Sequence, residues 1–394
     1  MNIMKKKYKK QKLTSLKTSF NHLMSTEKAL VVKEKTYTLR PGRLGLLIVA
    51  FLLSFVILVN LFSIPSKKLS TIDMEFGAGG RYSMVTGNND ILMHNNQGIK
   101  SVTKKGAVRW EVKRAATKPL TEVCGHYLLS ADLDGNHTAI LYKDGKVLNE
   151  FNLGSDIISA EVNKNGDVII ATATVGYKGK ITVYDKKGRE RFSWNSGDGY
   201  ITDVAIHEDG RHIAVSQLTS TEAQAGSNIQ FIDLNRKKVV NTAKRSNTII
   251  SEILFSNDRL LAVSDVEFCG YSKGGKLKFE VSFAGKNPGR YDISNGKLFS
   301  FVTIDNRGGE VLEIYNKRGK LKGRYSSDST INSIATCDNG VILATRRDIL
   351  YVNKRGKLKK SVTSNHDLKS IGLFGDGKTV MALGSESADV VKMR

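Results

Sequence analysis

Asn316-Lys317-Arg318-Gly319-Lys320-Leu321-Lys322 returns unchanged as Asn353-Lys354-Arg355-Gly356-Lys357-Leu358-Lys359, 37 positions later. Each copy follows an apolar strand-like run and precedes another, so its glycine reads as the φ > 0 residue of a tight hairpin turn. Looser copies are Thr103-Lys-Lys-Gly106, Tyr142-Lys-Asp-Gly-Lys146, Tyr184-Asp-Lys-Lys-Gly188 and Tyr271-Ser-Lys-Gly-Gly275. A hairpin that recurs in this way marks a repeat.

A second marker recurs upstream of the hairpins, a short apolar strand after a polar turn. Eight are present: Ile91-Leu-Met, Leu128-Leu-Ser, Val168-Ile-Ile, Ile213-Ala-Val, Leu260-Leu-Ala, Leu298-Phe-Ser, Val341-Ile-Leu and Thr379-Val-Met. Their spacings run from 37 to 47 residues and average about 41, the period of a four-stranded β-propeller blade. In the clearest unit, 157–195, strands are expected near 157–162, 168–174, 180–185 and 190–194. Such a blade cannot bury both sheet faces alone, and stacking supplies its core. The last unit, 368–394, holds three strands, and Thr71-Ile-Asp-Met-Glu-Phe76 is expected to supply the fourth, closing the ring. The predicted fold is an all-β propeller of eight blades, with seven the alternative if 77–90 belongs to a shared blade.

Composition agrees with this class. The 394 residues are 40% hydrophobic, enough for a sizeable core, and 36 Gly against 4 Pro suit a chain full of tight turns. Three cysteines, Cys124, Cys269 and Cys337, make neither a disulfide framework nor a CxxC pair.

Upstream of the repeat, Leu44–Ile64 carries no charge over 21 positions, and sixteen of them are Leu, Ile, Val or Phe. A helix of that length reaches about 32 Å, enough to cross a hydrocarbon core of about 30 Å. A buried core helix is the bland alternative. A cleaved signal peptide is the other, but 43 residues precede the run and no A-x-A-like site follows. The segment is therefore expected to be a single N-terminal transmembrane helix, an uncleaved signal anchor. Residues 1–43 carry 12 Lys/Arg against Glu27 and Glu34, so this largely flexible tail is expected in the cytoplasm and 65–394 outside the cell. The run Lys5–Lys12 suits anionic headgroups, and no nucleic-acid partner is expected.

Gly106-Ala-Val-Arg-Trp110, Gly188-Arg-Glu-Arg-Phe192 and Gly275-Lys-Leu-Lys-Phe279 resemble the G-x-x-x-W motif of quinoprotein-like propeller repeats. The stretch Ile201-Thr-Asp-Val-Ala-Ile-His-Glu-Asp-Gly-Arg-His-Ile-Ala-Val215 resembles the first strands of a WD40-type blade. Over roughly 70–394 the chain is similar to membrane-anchored propeller proteins of Gram-positive bacteria, a family of largely undefined function. Quinoprotein enzymes of this shape imply adjacent cysteines, an acidic calcium set and an aromatic platform. The cysteines here stand far apart, so the resemblance implies the fold and no activity.

Candidate chemistry is sparse. Asp132-Leu-Asp134-Gly-Asn136 opens like a calcium loop, but Lys143 stands where the closing Glu belongs. His207 and His212 flank the turn Glu208-Asp209-Gly210 and read as surface or rim residues, since two histidines alone do not close a zinc site. The three cysteines read as buried strand positions, and Tyr315 and Tyr351 as packing residues. No GxSxG elbow, P-loop, HExxH or Rossmann fingerprint occurs. No catalytic residue, cofactor or metal is expected. Of the net +23, the tail holds +10, leaving +13 on 65–394. Lys317, Arg318, Lys354 and Arg355 are the turn residues that would contact an anionic wall polymer. The expected function is a non-enzymatic scaffold, held in the cell membrane by a single pass, for protein partners in envelope assembly, division or secretion. The alternative is an extracellular sensor or a ligand- or glycan-binding module.

Overall fold

Runs of three to nine residues rich in valine, isoleucine and aromatic side chains, cut by glycine and asparagine turns, leave the chain little choice but β-structure. The computed structural model describes residues 68–73, 83–86, 89–133, 138–220, 224–283, 286, 288–305, 308–385 and 387–394. The tail 1–43, the apolar run Leu44–Ile64, and Asp134 and Asn136 lie outside these residues. Among the described residues no helix is long and apolar enough to cross a membrane.

The described residues form thirty-two strands in eight antiparallel sheets of four. Seven sheets are consecutive blades, spanning 83–113, 119–152, 157–195, 200–246, 250–282, 290–327 and 333–363. The eighth combines β30 (Ser370–Leu373), β31 (Thr379–Leu383) and β32 (Ser387–Lys392) with β1 (Lys68–Asp73), which pairs with β32 from Lys68↔Val391 to Asp73↔Ser387. The count is therefore eight, and the alternative of seven is set aside. The closing strand is present but starts three residues earlier than the expected Thr71–Phe76, and 74–76 lie outside the described residues.

The clearest unit has strands Ile157–Val162, Val168–Thr172, Lys180–Tyr184 and Glu190–Asn195, within two residues of expectation. All eight apolar markers lie on or at the start of the second strand of a blade. That strand has neighbours on both edges and both faces covered, so it reads as a continuous apolar run without alternation. The fourth strand is a solvent edge and alternates exposed with half-buried positions.

Eight hydrophobic clusters stand one at each junction between neighbouring blades. Between blades 5 and 6 the core is aromatic, with Phe268 4.9 Å from Phe301 and 5.1 Å from Phe299 between ring centres. Between blades 8 and 1, Phe374, Met381 and Val390 pack on Ile91 and Met93, which completes the ring. The G-x-x-x-aromatic pattern is a further junction device. Trp110 of blade 1 lies against Gly145 in the turn of blade 2, and Phe279 of blade 5 against Gly319 in the turn of blade 6. A Cβ on Gly319 would stand 2.5 Å from Phe279 Cδ2, and its φ of +72° also favours glycine.

The antiparallel order gives each blade two ends. Turns from first to second and from third to fourth strands lie at one end. Turns from second to third strands, and the links between blades, lie at the other. Because β1 begins beside Val391, near the end of its blade's third strand, it begins at the first of these. We call that end proximal and the opposite one distal.

Candidate functional site

The duplicated heptapeptide folds identically twice. Asn316 Oδ1 accepts the N–H groups of Arg318 (2.9 Å) and Lys320 (3.1 Å), and Asn353 Oδ1 those of Arg355 (3.0 Å) and Lys357 (3.1 Å). The asparagine thus ties the turn while Lys317, Arg318, Lys354 and Arg355 project as exposed cations at the proximal end. Tyr315 and Tyr351 are buried at the strand ends, as expected of packing residues.

His207 and His212 do meet across their hairpin. Their Nδ1 atoms lie 3.0 and 2.8 Å from the same oxygen, Asp209 Oδ2. Of the two histidines expected at surface or rim positions, His207 is buried, packed against Phe255 with Nε2 3.0 Å from the Asn257 carbonyl. Against the pull of burial, the Arg211 N–H and His212 hold the Asp209 carboxyl far below the usual range. Three ligand atoms here could take a divalent cation, but Lys273 Nζ already stands 3.3 Å from Asp209 Oδ2 and supplies a positive charge. A second trio, Glu267, Cys269 and Glu280, encloses Arg245. That guanidinium lies 2.8 Å from Glu280, 3.3 Å from Glu267 and 3.3 Å from Cys269 Sγ.

Cys269 and Cys337 are buried in blades 5 and 7, whereas Cys124 of blade 2 is only half-buried, a correction to its expected core position. Burial pushes the Cys124 thiol up to about 11 and the Cys269 thiol to about 12, so both stay protonated and unreactive. Asp132 is a structural cap whose carboxylate accepts the N–H groups of Thr117 (2.9 Å) and Lys118 (2.8 Å).

Carboxylates near the ring axis escaped the sequence reading. Glu122, Glu161, Asp203 and Glu252 lie on the first strands of blades 2 to 5. A first strand pairs only with the second strand of its own blade, so its inner edge lacks ladder partners. Side chains of the preceding blade supply them. Glu161 accepts the Ile206 N–H (2.8 Å), Asp203 the Ile253 N–H (2.8 Å) and Asp292 the Thr336 N–H (2.6 Å). Burial, then the charges of Asp203 and Glu252, push the Glu122 carboxyl up to about 8. Burial raises Asp203 to about 6 against its hydrogen bonds to Ile253 and Ser159, and holds Glu161 and Glu252 above the ordinary range. Glu161, Asp203 and Asp292 thus latch blades together. Their sequence signal is a polar residue inside an otherwise apolar first strand, as in Ile157-Ile-Ser-Ala-Glu-Val162.

At the distal end, four consecutive blades, 3 to 6, expose large apolar side chains: Val175 (98%), Tyr177, Tyr200 (61%), Ile249 and Ile304. The loop carrying Val175 and Tyr177 is pinned to the next blade. Lys178 N–H bonds the Ser196 carbonyl (2.8 Å), and Lys178 Nζ lies 5.3 Å from the Tyr200 ring centre. Beneath them runs a buried polar chain. Thr242 Oγ1 and Gln217 meet at Gln230 (2.6 and 2.9 Å), and Gln217 Nε2 reaches Ser196 Oγ (2.5 Å). Beside it opens a cavity of about 490 Å³ lined by Asp198, Asn228, Gln230, Thr242 and Lys244.

A family model described as a family of unknown function (DUF5711) matches residues 67–393. The chain belongs to that family. No curated protein matches the sequence. Among solved structures, BamB from Moraxella catarrhalis is similar with a TM-score of 0.53 at 11% identity, covering 83% of this chain and 99% of that one. Hydrazine synthase of Kuenenia stuttgartiensis gives a TM-score of 0.47 at 12% identity, covering 82% and 97%. The Cps50 (Swd1) β-propeller domain of Myceliophteria thermophila gives 0.46 at 12% identity, covering 82% and 99%. The likeness to BamB bears out the expected propeller architecture and concerns the fold alone.

Proposed function

We propose that this protein is a non-enzymatic scaffold, anchored in the cell membrane through Leu44–Ile64, whose propeller stands outside the cell and binds protein partners in envelope assembly, division or secretion. The observation that carries the reading is the distal arc. Exposed large apolar side chains on four consecutive blades are the kind of surface that marks an interaction site, and tyrosine is a frequent interface anchor. Eight inter-blade cores and the axial latches provide that support. The anchor rests on the uncharged run of 21 residues and the basic tail before it.

The test is crosslinking in intact cells followed by affinity purification of the full chain from membranes, comparing wild type with a Tyr177→Ser, Tyr200→Ser, Ile304→Ser variant. Recovery of specific partners should fall about tenfold or more in the variant, as expected when interface anchors are truncated. Equal recovery of the same proteins would refute the distal arc as the docking surface. The polar cavity beside the arc favours a second reading, binding of a glycan or another small polar ligand, and a ligand-induced rise in Tm would distinguish it.

A further inference from the structure

The propeller's charge is concentrated at one end. The seven third-to-fourth turns, 103–107, 144–145, 185–189, 234–237, 273–276, 317–320 and 354–357, carry fifteen Lys/Arg against Asp144 and Asp185. Their net +13 equals the whole excess of residues 65–394. All of these cations except Lys273 are exposed. First-to-second turns at the same end add four basic and seven acidic residues, leaving the proximal end at +10. The described connections at the distal end hold seven basic and six acidic residues and are nearly neutral.

Two further features share the proximal end. Exposed apolar residues open the fourth strands just after basic turns: Val108, Leu277, Leu321 and Leu358, at 41 to 48% exposure. The chain also enters the propeller here, since β1 begins at Lys68 beside Val391. Only residues 65–67 separate Lys68 from the uncharged run, a tether of at most about 14 Å.

We propose that the proximal end docks on an anionic phospholipid surface, the outer face of the membrane that holds the anchor, and so turns the distal arc toward partners. The proposal rests on the membrane-anchored reading. A tether this short keeps the start of β1 close to the headgroups, and opposite charge, acting over a Debye length of about 8 Å, then draws the basic turns onto the surface. The pairing of cations with exposed leucine and valine selects a lipid interface over a soluble polyanion. A bilayer rewards both charge and shallow apolar insertion, whereas a wall polymer rewards charge alone.

The test uses the full chain reconstituted into vesicles of phosphatidylcholine, or of phosphatidylcholine mixed equally with phosphatidylglycerol, labelled by a membrane-impermeant lysine acetylating reagent and read by mass spectrometry. In the anionic vesicles at low salt, Lys237, Lys317 and Lys354 should be protected about fivefold or more, and salt near 0.5 M should remove the protection. Distal Lys118 and Lys178 should label equally in both. Two variants should each lose protection while remaining in the vesicles: Lys317→Glu, Arg318→Glu, Lys354→Glu, Arg355→Glu, and Leu277→Ser, Leu321→Ser, Leu358→Ser. Equal labelling of the wild-type turns in both vesicles overturns the proposal. So does equal protection by soluble poly(glycerol phosphate) on zwitterionic vesicles, which would assign the turns to a wall polymer. Alkaline carbonate washing keeps the two readings apart. A chain that washes off refutes the anchor, whereas a retained but unprotected chain refutes docking alone.

Discussion

Glu122→Gln should stabilise the propeller above neutral pH and change little near pH 4. In the folded ring the Glu122 carboxyl is held near 8 by burial and by the charges of Asp203 and Glu252. In the unfolded chain it titrates near 4.3. Below about pH 4 both states carry the proton. Between about 4 and 8 only the unfolded chain has released it, so the unfolded state binds fewer protons and stability falls as pH rises. A difference of this size, at about 1.4 kcal/mol per tenfold change in proton affinity, amounts to about 5 kcal/mol if fully expressed. Glu122 retains some solvent contact near the axis, and screening there reduces the effect to about 2 kcal/mol. In a domain of this size that corresponds to a Tm about 3 °C lower at pH 8.5 than at pH 5 from this group alone. The glutamine keeps the shape without the ionisation, so circular dichroism melts of wild type and variant should diverge with pH. Asp203, near 6, acts in the same direction between about pH 4 and 6 and should leave a smaller slope in the variant. A variant that melts no higher than wild type at pH 8.5, or that differs equally at both pH values, would refute the reasoning.

Gly319→Ala should cost about 2–3 kcal/mol in urea unfolding, because it combines a left-handed φ of +72° with a contact on Phe279. Gly176→Ala, at φ +80° with open space around it, should cost only about 1 kcal/mol, and equal losses would deny the inter-blade contact. Deleting 66–73 removes the partner of β32 and exposes a strand edge, so size-exclusion chromatography should show association and the melt should broaden. A sharp, unchanged monomeric melt would remove β1 from the closure.

What the sequence made legible were features set within a single blade. The second strands were readable because enclosure on both faces leaves an unbroken apolar run, and the hairpins because Asn316 and Asn353 stand two and four residues before the N–H groups they bind. The closing strand was found but misplaced by three residues, since Ser70 and Thr71 suit strand and linker alike and only pairing with β32 sets the register. Contacts between blades were not legible. Nothing local tells Glu161 that its acceptor role lies 45 residues away at Ile206, or that Phe255 will cover His207. The distal arc was hidden for the opposite reason. Val175 and Tyr200 look like ordinary strand and turn residues, and their exposure depends on how neighbouring blades end.

The pairing of β1 with β32 has a consequence for biogenesis. Ile72 faces Ala388, a separation of 316 positions, so the first of the described strands must wait for the last. At about 5–20 residues per second that delay is roughly 15–60 s. Throughout it, the seven blades between can stack one upon another as they appear, each junction core forming from sequence neighbours. The ring itself stays open, with β1 a bare hydrogen-bonding edge and Ile91 and Met93 without Phe374 over them. Closure is therefore a checkpoint on completeness. A chain truncated before residue 387 could build most of its blades but would keep an open edge, a ready template for pairing with another chain.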